Sequence, residues 1–114
     1  MIRLLVVCSL VSVLLACGTP CSRLAAAQEN ANNRGKGCDG SKDSSWSPTK
    51  VKSCEDNLPN CSENDLKQIE LYSNCLNALP VCSQGQTTSW NVSRIGCATD
   101  NVLFRLSLKC SSGF

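Results

Sequence analysis

The sequence predicts an all-α fold: a small disulfide-stapled helical bundle of about four short helices after a flexible tether. Three observations carry this expectation. Leu66, Ile69, Tyr72, Leu76 and Leu79 recur at steps of 3, 3, 4 and 3, the spacing of one face of an α-helix. Serines stand where helices should start, at Ser47 before Pro48 and at Ser62 three residues before Asp65. Ten cysteines in 114 residues supply the cross-links that so small a core needs. In the cysteine-rich part, no Asn-Gly or Asp-Gly step separates two β-rich runs, so the hairpin signal is missing.

Residues 1–16 read as a secretory signal. Met1, Ile2 and Arg3 make a basic start, and Leu4 to Ala16 is almost wholly apolar. That run is too short to span a bilayer, and no later segment approaches the ~18 apolar residues of a transmembrane helix. Leu14-Leu15-Ala16-Cys17 is similar to a bacterial lipobox, with Leu15 the less usual residue in it. Cleavage before Cys17, with that thiol lipidated, removes Cys8. Eight cysteines then remain, at 21, 38, 54, 61, 75, 82, 97 and 110, an even set for four bridges. Ala25-Ala26-Ala27 offers ordinary signal peptidase a competing A-x-A site. Cutting after Ala27 leaves seven cysteines and an odd thiol.

Residues 17–46 are poor in apolar side chains and rich in Gly, Ser, Asn, Ala and Lys. Such a stretch buries too little surface to offset the cost of ordering it, which predicts a tether. At ~5–6 Å × √n, about 30 residues would float the domain roughly 30 Å from an anchor on Cys17. Cys21 and Cys38 fall in this tether, free to pair with each other or to reach the domain.

Residues 47–114 form the expected cysteine-rich helical domain. Ser47 as N-cap and Pro48 at the first helical position start a helix that runs to about Asn57 and ends before Leu58-Pro59. Ser62 caps the second, which carries the apolar stripe and stops at Pro80. A third, from about Thr88 to Cys97, presents Trp90, Ile95 and Cys97. A fourth, from about Asp100 to Cys110, presents Val102, Leu103, Leu106 and Cys110, although the alternation in Leu106-Ser107-Leu108 also fits a strand.

Cys54 and Cys61 are seven apart, as are Cys75 and Cys82. Two antiparallel segments with this mirror spacing would bring Cys54 opposite Cys82 and Cys61 opposite Cys75, leaving Cys97 to join Cys110. Eight cysteines allow 105 pairings, and this is the one the spacing suggests.

Chemistry-bearing patterns are few. From Cys17 onward ten basic groups face nine acidic ones, a balance that argues against nucleic-acid or polybasic membrane binding. The absence of histidine removes imidazole catalysis and imidazole metal ligation. C-x-x-C is also missing, so zinc-ribbon and thioredoxin-like readings fall away, and no metal or cofactor is expected. Gly35-Lys36-Gly37-Cys38-Asp39-Gly40 matches G-x-G-x-x-G but has no strand before it, and reads as linker. Ser47-Pro48-Thr49-Lys50 matches S-x-x-K but lacks the companion motifs, so capping explains it better. Asp39, Ser41 and Asp43 alternate like the opening of a calcium loop, with Ser44 and Lys50 where Gly and Glu belong. Glu55, Asp56, Glu63, Asp65 and Glu70 read as solvated helix positions. Asn60-Cys61-Ser62 and Asn91-Val92-Ser93 are glycosylation sequons, meaningful only in a eukaryotic host.

Among eight-cysteine helical families, plant lipid-transfer proteins and seed albumins carry Cys-Cys and Cys-x-Cys, and this chain has neither. The run Ser53-Cys54-Glu55, Asn60-Cys61-Ser62, Tyr72-Ser73-Asn74-Cys75-Leu76 and Leu79-Pro80-Val81-Cys82, with Trp90 and Cys97, resembles small cysteine-rich lipoproteins of myxobacteria over roughly residues 46 to 110. The resemblance implies an address at the outer membrane or cell surface and no activity. Together these features predict a non-enzymatic, monomeric envelope lipoprotein, held to the membrane by acyl chains such as palmitate on Cys17 and free to meet an envelope protein partner. The alternative is a freely secreted binding or inhibitory protein cut after Ala27.

Overall fold

The computed structural model describes residues 18–40, 42, 45–103 and 105–114, and all regular secondary structure among them is helical. The signal segment 1–16 and Cys17 lie outside the described residues, as do Ser41 and Asp43. Five α-helices follow one another: α1 (Pro20–Gly35), α2 (Pro48–Asn57), α3 (Glu63–Asn77), α4 (Thr87–Ala98) and the short α5 (Leu108–Ser111). Single 3-10 turns follow α1 at Lys36–Cys38 and α2 at Leu58–Asn60, and a π-turn at Thr99–Leu103 extends α4.

Helix α1 is the main departure from the sequence reading. The expected tether is, over Pro20–Gly35, an ordered helix that packs chiefly on α3. It starts as α2 does, with a hydroxyl N-cap and proline at the first helical position; Thr19 Oγ1 accepts from the Ser22 amide at 3.1 Å. Its inner face is Cys21, Leu24, Ala27, Ala31 and Gly35, an apolar stripe of mostly small residues. Small side chains let the axis of α1 come close to Ile69, Tyr72 and Leu76 on α3, all in the same core. Burying that stripe supplies what composition alone seemed to deny, so the segment is part of the domain and not a spacer.

Helices α1 and α3 run parallel. Gln28 meets Tyr72, Asn30 meets Asn77 and Arg34 meets the Asn77 carbonyl, at separations of 44, 47 and 43 residues. Helix α2 returns antiparallel to α1, its last turn beside the first turn of α1. Helix α4 is antiparallel to α3: Cys97 bonds Cys75, and the Trp90 indole N–H donates to the Pro80 carbonyl at 2.7 Å.

Helices α2, α3 and α4 fall where sequence periodicity and caps put them. Ser47 Oγ accepts from the Lys50 amide at 3.2 Å, so the S-x-x-K match is a helix cap, as read. Ser62 and Asp65 form a complete capping box. The expected fourth helix from Asp100 to Cys110 is corrected. The chain leaves α4 through the π-turn, breaks near Arg105–Ser107, and restarts as α5 with Ser107 as N-cap. Ser107 favours a cap over a helix interior because its hydroxyl satisfies an orphan amide, here that of Cys110 at 3.4 Å.

The Gly35–Gly40 segment is packed, where the sequence suggested linker. A Cβ on Gly37 would lie 2.6 Å from the Cys82 carbonyl oxygen, and one on Gly40 would lie 2.8 Å from the Trp90 ring. Backbone cannot yield as a side-chain tip can. Gly37→Ala is therefore expected to destabilise the domain by about 1–3 kcal/mol. Gly96→Ala on α4 meets nothing within 4 Å, and should raise stability by up to about 1 kcal/mol through helix propensity. Thermal unfolding of the two variants checks both signs.

Candidate functional site

All eight cysteines at 21, 38, 54, 61, 75, 82, 97 and 110 are in disulfides, but in none of the suggested pairs. Cys21 bonds Cys54 and ties α1 to α2; Cys38 bonds Cys82 and closes the turn after α1 onto the loop after α3. Cys61 bonds Cys110, joining the entry of α3 to α5, and Cys75 bonds Cys97, joining α3 to α4. The Cys54–Cys82, Cys61–Cys75 and Cys97–Cys110 pairs that the spacing suggests do not form, and of the two possibilities for Cys21 and Cys38 the second holds, since each reaches the domain. The two nested pairs require α2 to pack on α3, whereas α3 packs chiefly on α1; Cys97 faces Cys75 on α3 instead, and Cys110, carried on the separate helix α5, faces Cys61. The Cα–Cα separations of 4.5 to 5.8 Å are ordinary for disulfides. Four such bonds mark a chain that folds in an oxidising compartment, and so an exported one. No helix among the described residues is long and apolar enough to cross a membrane.

Asp65 is the acidic residue whose surroundings differ most from the sequence reading. It is not a solvated helix position but 2 % exposed. One carboxylate oxygen accepts from the Ser107 amide at 2.9 Å; the other accepts from the Ser107 hydroxyl at 2.7 Å and from the Ser62 amide at 2.9 Å. These bonds all favour the ionised form, the Ser107 amide most, and hold the carboxyl down at about 2. Asp65 thus caps its own helix and pins the start of α5 to it.

The sign of its pH dependence follows from that depression. The unfolded chain takes up this proton near the ordinary value of 3.8, while the folded chain holds it off until about 2. Its contribution is therefore fully present above pH ~4 and is lost as pH falls toward 2. Asp65→Asn should cost about 2–3 kcal/mol at neutral pH, because buried amides lose a charged acceptor. It should also flatten the acid limb of stability between pH ~4 and 2, which denaturant titration at a series of pH values measures.

Cys61 Sγ, an Asp65 oxygen and Cys110 Sγ lie within 4.8 Å of one another, a spacing that could suit a metal. The two sulfurs are bonded to each other and present no thiolate, and the carboxylate is held by Ser62 and Ser107. The cluster is a structural junction.

A second buried polar group links three helices. Arg94 on α4, 3 % exposed, donates from Nη2 to Gln28 Oε1 at 2.9 Å, and Gln28 Nε2 donates to the Tyr72 hydroxyl at 2.8 Å. The guanidinium also lies 5.9 Å from the Trp90 ring centroid. Neither Gln28 nor Arg94 belongs to a motif in the sequence. Their signal was positional: Gln28 sits one turn past Leu24, and Arg94 one turn past Trp90, on the buried side of each helix. The other sequence candidates are spread apart. Glu55 accepts from the Thr19 hydroxyl at 2.9 Å, Asp56 pairs with Lys52 on the exposed face of α2, and Glu63 and Glu70 line an open groove with Arg23 and Lys67. In the sequons, Asn60 donates to Asn57 at 2.8 Å beside a half-cystine, and Asn91 lies within α4.

No protein-family model matches the chain, and no curated protein or solved structure matches it at a significant level.

Proposed function

We propose that the chain is a non-enzymatic cell-envelope lipoprotein: a disulfide-stabilised helical domain, held at the outer membrane or cell surface by acyl chains on Cys17, with a structural or interaction role. The observation that carries this reading is the position of α1. Its N-cap, Thr19, comes two residues after Cys17, and its first turn is fixed by the Cys21–Cys54 bridge. A cut after Ala27 would remove half of this helix together with the fully buried Leu24, and would strip Cys54 of its partner. A cut before Cys17 leaves α1 whole and every described cysteine paired. The fold thus supports lipobox processing over the secreted alternative.

The non-enzymatic part of the reading rests on how the polar groups are used. The depressed carboxylate of Asp65 and the buried guanidinium of Arg94 are committed to bonds between helices. The grouping with small cysteine-rich lipoproteins of myxobacteria belongs to the same proposal, as do a monomeric state and an envelope protein as partner. The position of α1 also alters the expected anchoring. The domain sits directly on its anchor, without the tether of roughly 30 Å that a coil of about 30 residues would give.

Intact mass of the exported protein tests the reading. The expected product begins at Cys17, carries added diacylglyceryl and acyl mass, and has no titratable thiol. A product beginning at Gln28 with a free thiol would overturn it.

A further inference from the structure

We infer that the end of the domain formed by Ser107, Leu108 and Lys109 rests on the lipid headgroups, with Leu108 entering the bilayer interface. The inference builds on the proposed Cys17 anchor and adds an orientation to it. Between Cys17 and Pro20 the chain spans at most about 10 Å. It gains no slack from the domain side, because Thr19 caps α1 and its hydroxyl holds Glu55. Whatever surface lies around the start of α1 is therefore carried to the membrane.

That surface can be traced residue by residue. The first turn of α1 bonds the last turn of α2 through Cys21–Cys54 and Thr19–Glu55. Two residues on, Asn57 Nδ2 donates to the Lys109 and Cys110 carbonyls at 3.1 and 2.7 Å. Asp65 in the first turn of α3 binds Ser107, and Cys61 binds Cys110. The starts of α1 and α3, the end of α2 and the whole of α5 thus share one end of the bundle.

Leu108 projects from that end, and at 90 % exposure it is the most exposed large hydrophobic among the described residues. Arg105 and Lys109 beside it are also exposed. An exposed leucine flanked by cations is unrewarded in water but suited to an interface, where the leucine leaves water and the cations meet phosphate. Nearby, Arg23 and Lys67 are balanced by Glu63 and Glu70, so anchor and leucine set the contact more than net charge does. The opposite end, at Gly85 and Gln86, lies about 24 Å away along α1 if each of its residues rises 1.5 Å.

The test uses the mature lipidated protein in phosphatidylcholine nanodiscs doped with a gadolinium-chelating lipid, read by amide NMR. The expected result is loss of the amide signals of Arg105 to Lys109, with Gly85 and Gln86 retained, and little change with added salt. Leu108→Asp should keep the melting temperature, since the side chain packs on little, and should lessen that loss without moving it to the opposite end, because the Cys17 anchor still holds this face near the lipid. Uniform loss over the domain, or earlier loss at residues 83–86, overturns the orientation while leaving the anchor standing. Unchanged loss in Leu108→Asp overturns the role of that leucine. A mature protein without lipid mass on Cys17 overturns the anchor and the orientation together.

Discussion

Full reduction of the four disulfides is expected to unfold the domain, abolishing most of its helical circular dichroism and its thermal transition. The bridges close separations of 33, 44, 49 and 22 residues. In the chain-entropy model each such closure contributes about 3–4 kcal/mol, with less for the last when loops overlap. That compares with a net stability of about 5–15 kcal/mol for a whole domain. The bonds also fill the interior: among the described residues, six of the fifteen buried apolar positions are half-cystines. Reduction therefore loosens the core as well as freeing the unfolded chain. Helices as short as α2 and α4, of 10 and 12 residues, do not persist alone in water. A reduced protein with unchanged circular dichroism and melting temperature would refute this.

The second large effect is expected from shortening α1. A chain beginning at Gln28 loses Cys21, Leu24 and Ala27, three residues with no exposed surface. Losing the Cys21–Cys54 bridge costs about 3–4 kcal/mol, and the space left by Leu24 about 2–5 kcal/mol more. Together these approach the whole stability of a small domain, so the truncated chain should be unfolded or molten at 37 °C. Leu24→Ala in the full-length protein should show the intermediate case, with a drop of about 2–5 kcal/mol and an intact fold. Circular dichroism and denaturant titration distinguish the three chains. A truncated protein that melts at the same temperature as the full one would return residues 18–27 to a tether.

The helices that rest on large apolar side chains and explicit caps were legible in the sequence. The stripe from Leu66 to Leu79 and the caps at Ser47 and Ser62 each point to a helix without tertiary help. Helix α1 carries the same kind of evidence in weaker form. Thr19-Pro20 repeats the start of Ser47-Pro48, and Leu24, Ala27, Ala31 and Gly35 keep helical steps of 3, 4 and 4. Its alanines and glycine add little to mean hydropathy, and only their distant neighbours, the ridge of α3 and, at Gly35, the Trp90 ring of α4, make their burial worthwhile.

The same omission explains the two nested bridges. Cysteine spacing fixes a pairing only once the helices to be paired are known, and the sequence reading lacked one of them. Asp65 was legible as a capping residue but not as the holder of α5, since Ser107 lies 42 residues away. Arg94 and Gln28 are polar residues on apolar faces, and nothing local distinguishes such a pair from two solvated side chains. The likeness of Gly35–Gly40 to a dinucleotide loop has a packing cause, in the approach of Gly40 to Trp90 and of Gly37 to Cys82.

The central claim is that α1 is stapled into the domain by this cystine framework. It is tested most directly by non-reducing tryptic mapping of the exported protein. Trypsin separates Cys54 and Cys61, in peptide 53–67, from Cys75 and Cys82, in peptide 68–94. The framework predicts two independent assemblies. Peptide 53–67 should join the Cys21 peptide and peptide 110–114, and peptide 68–94 should join peptides 37–42 and 95–105. A disulfide between peptides 53–67 and 68–94, or between Cys21 and Cys38, would contradict it.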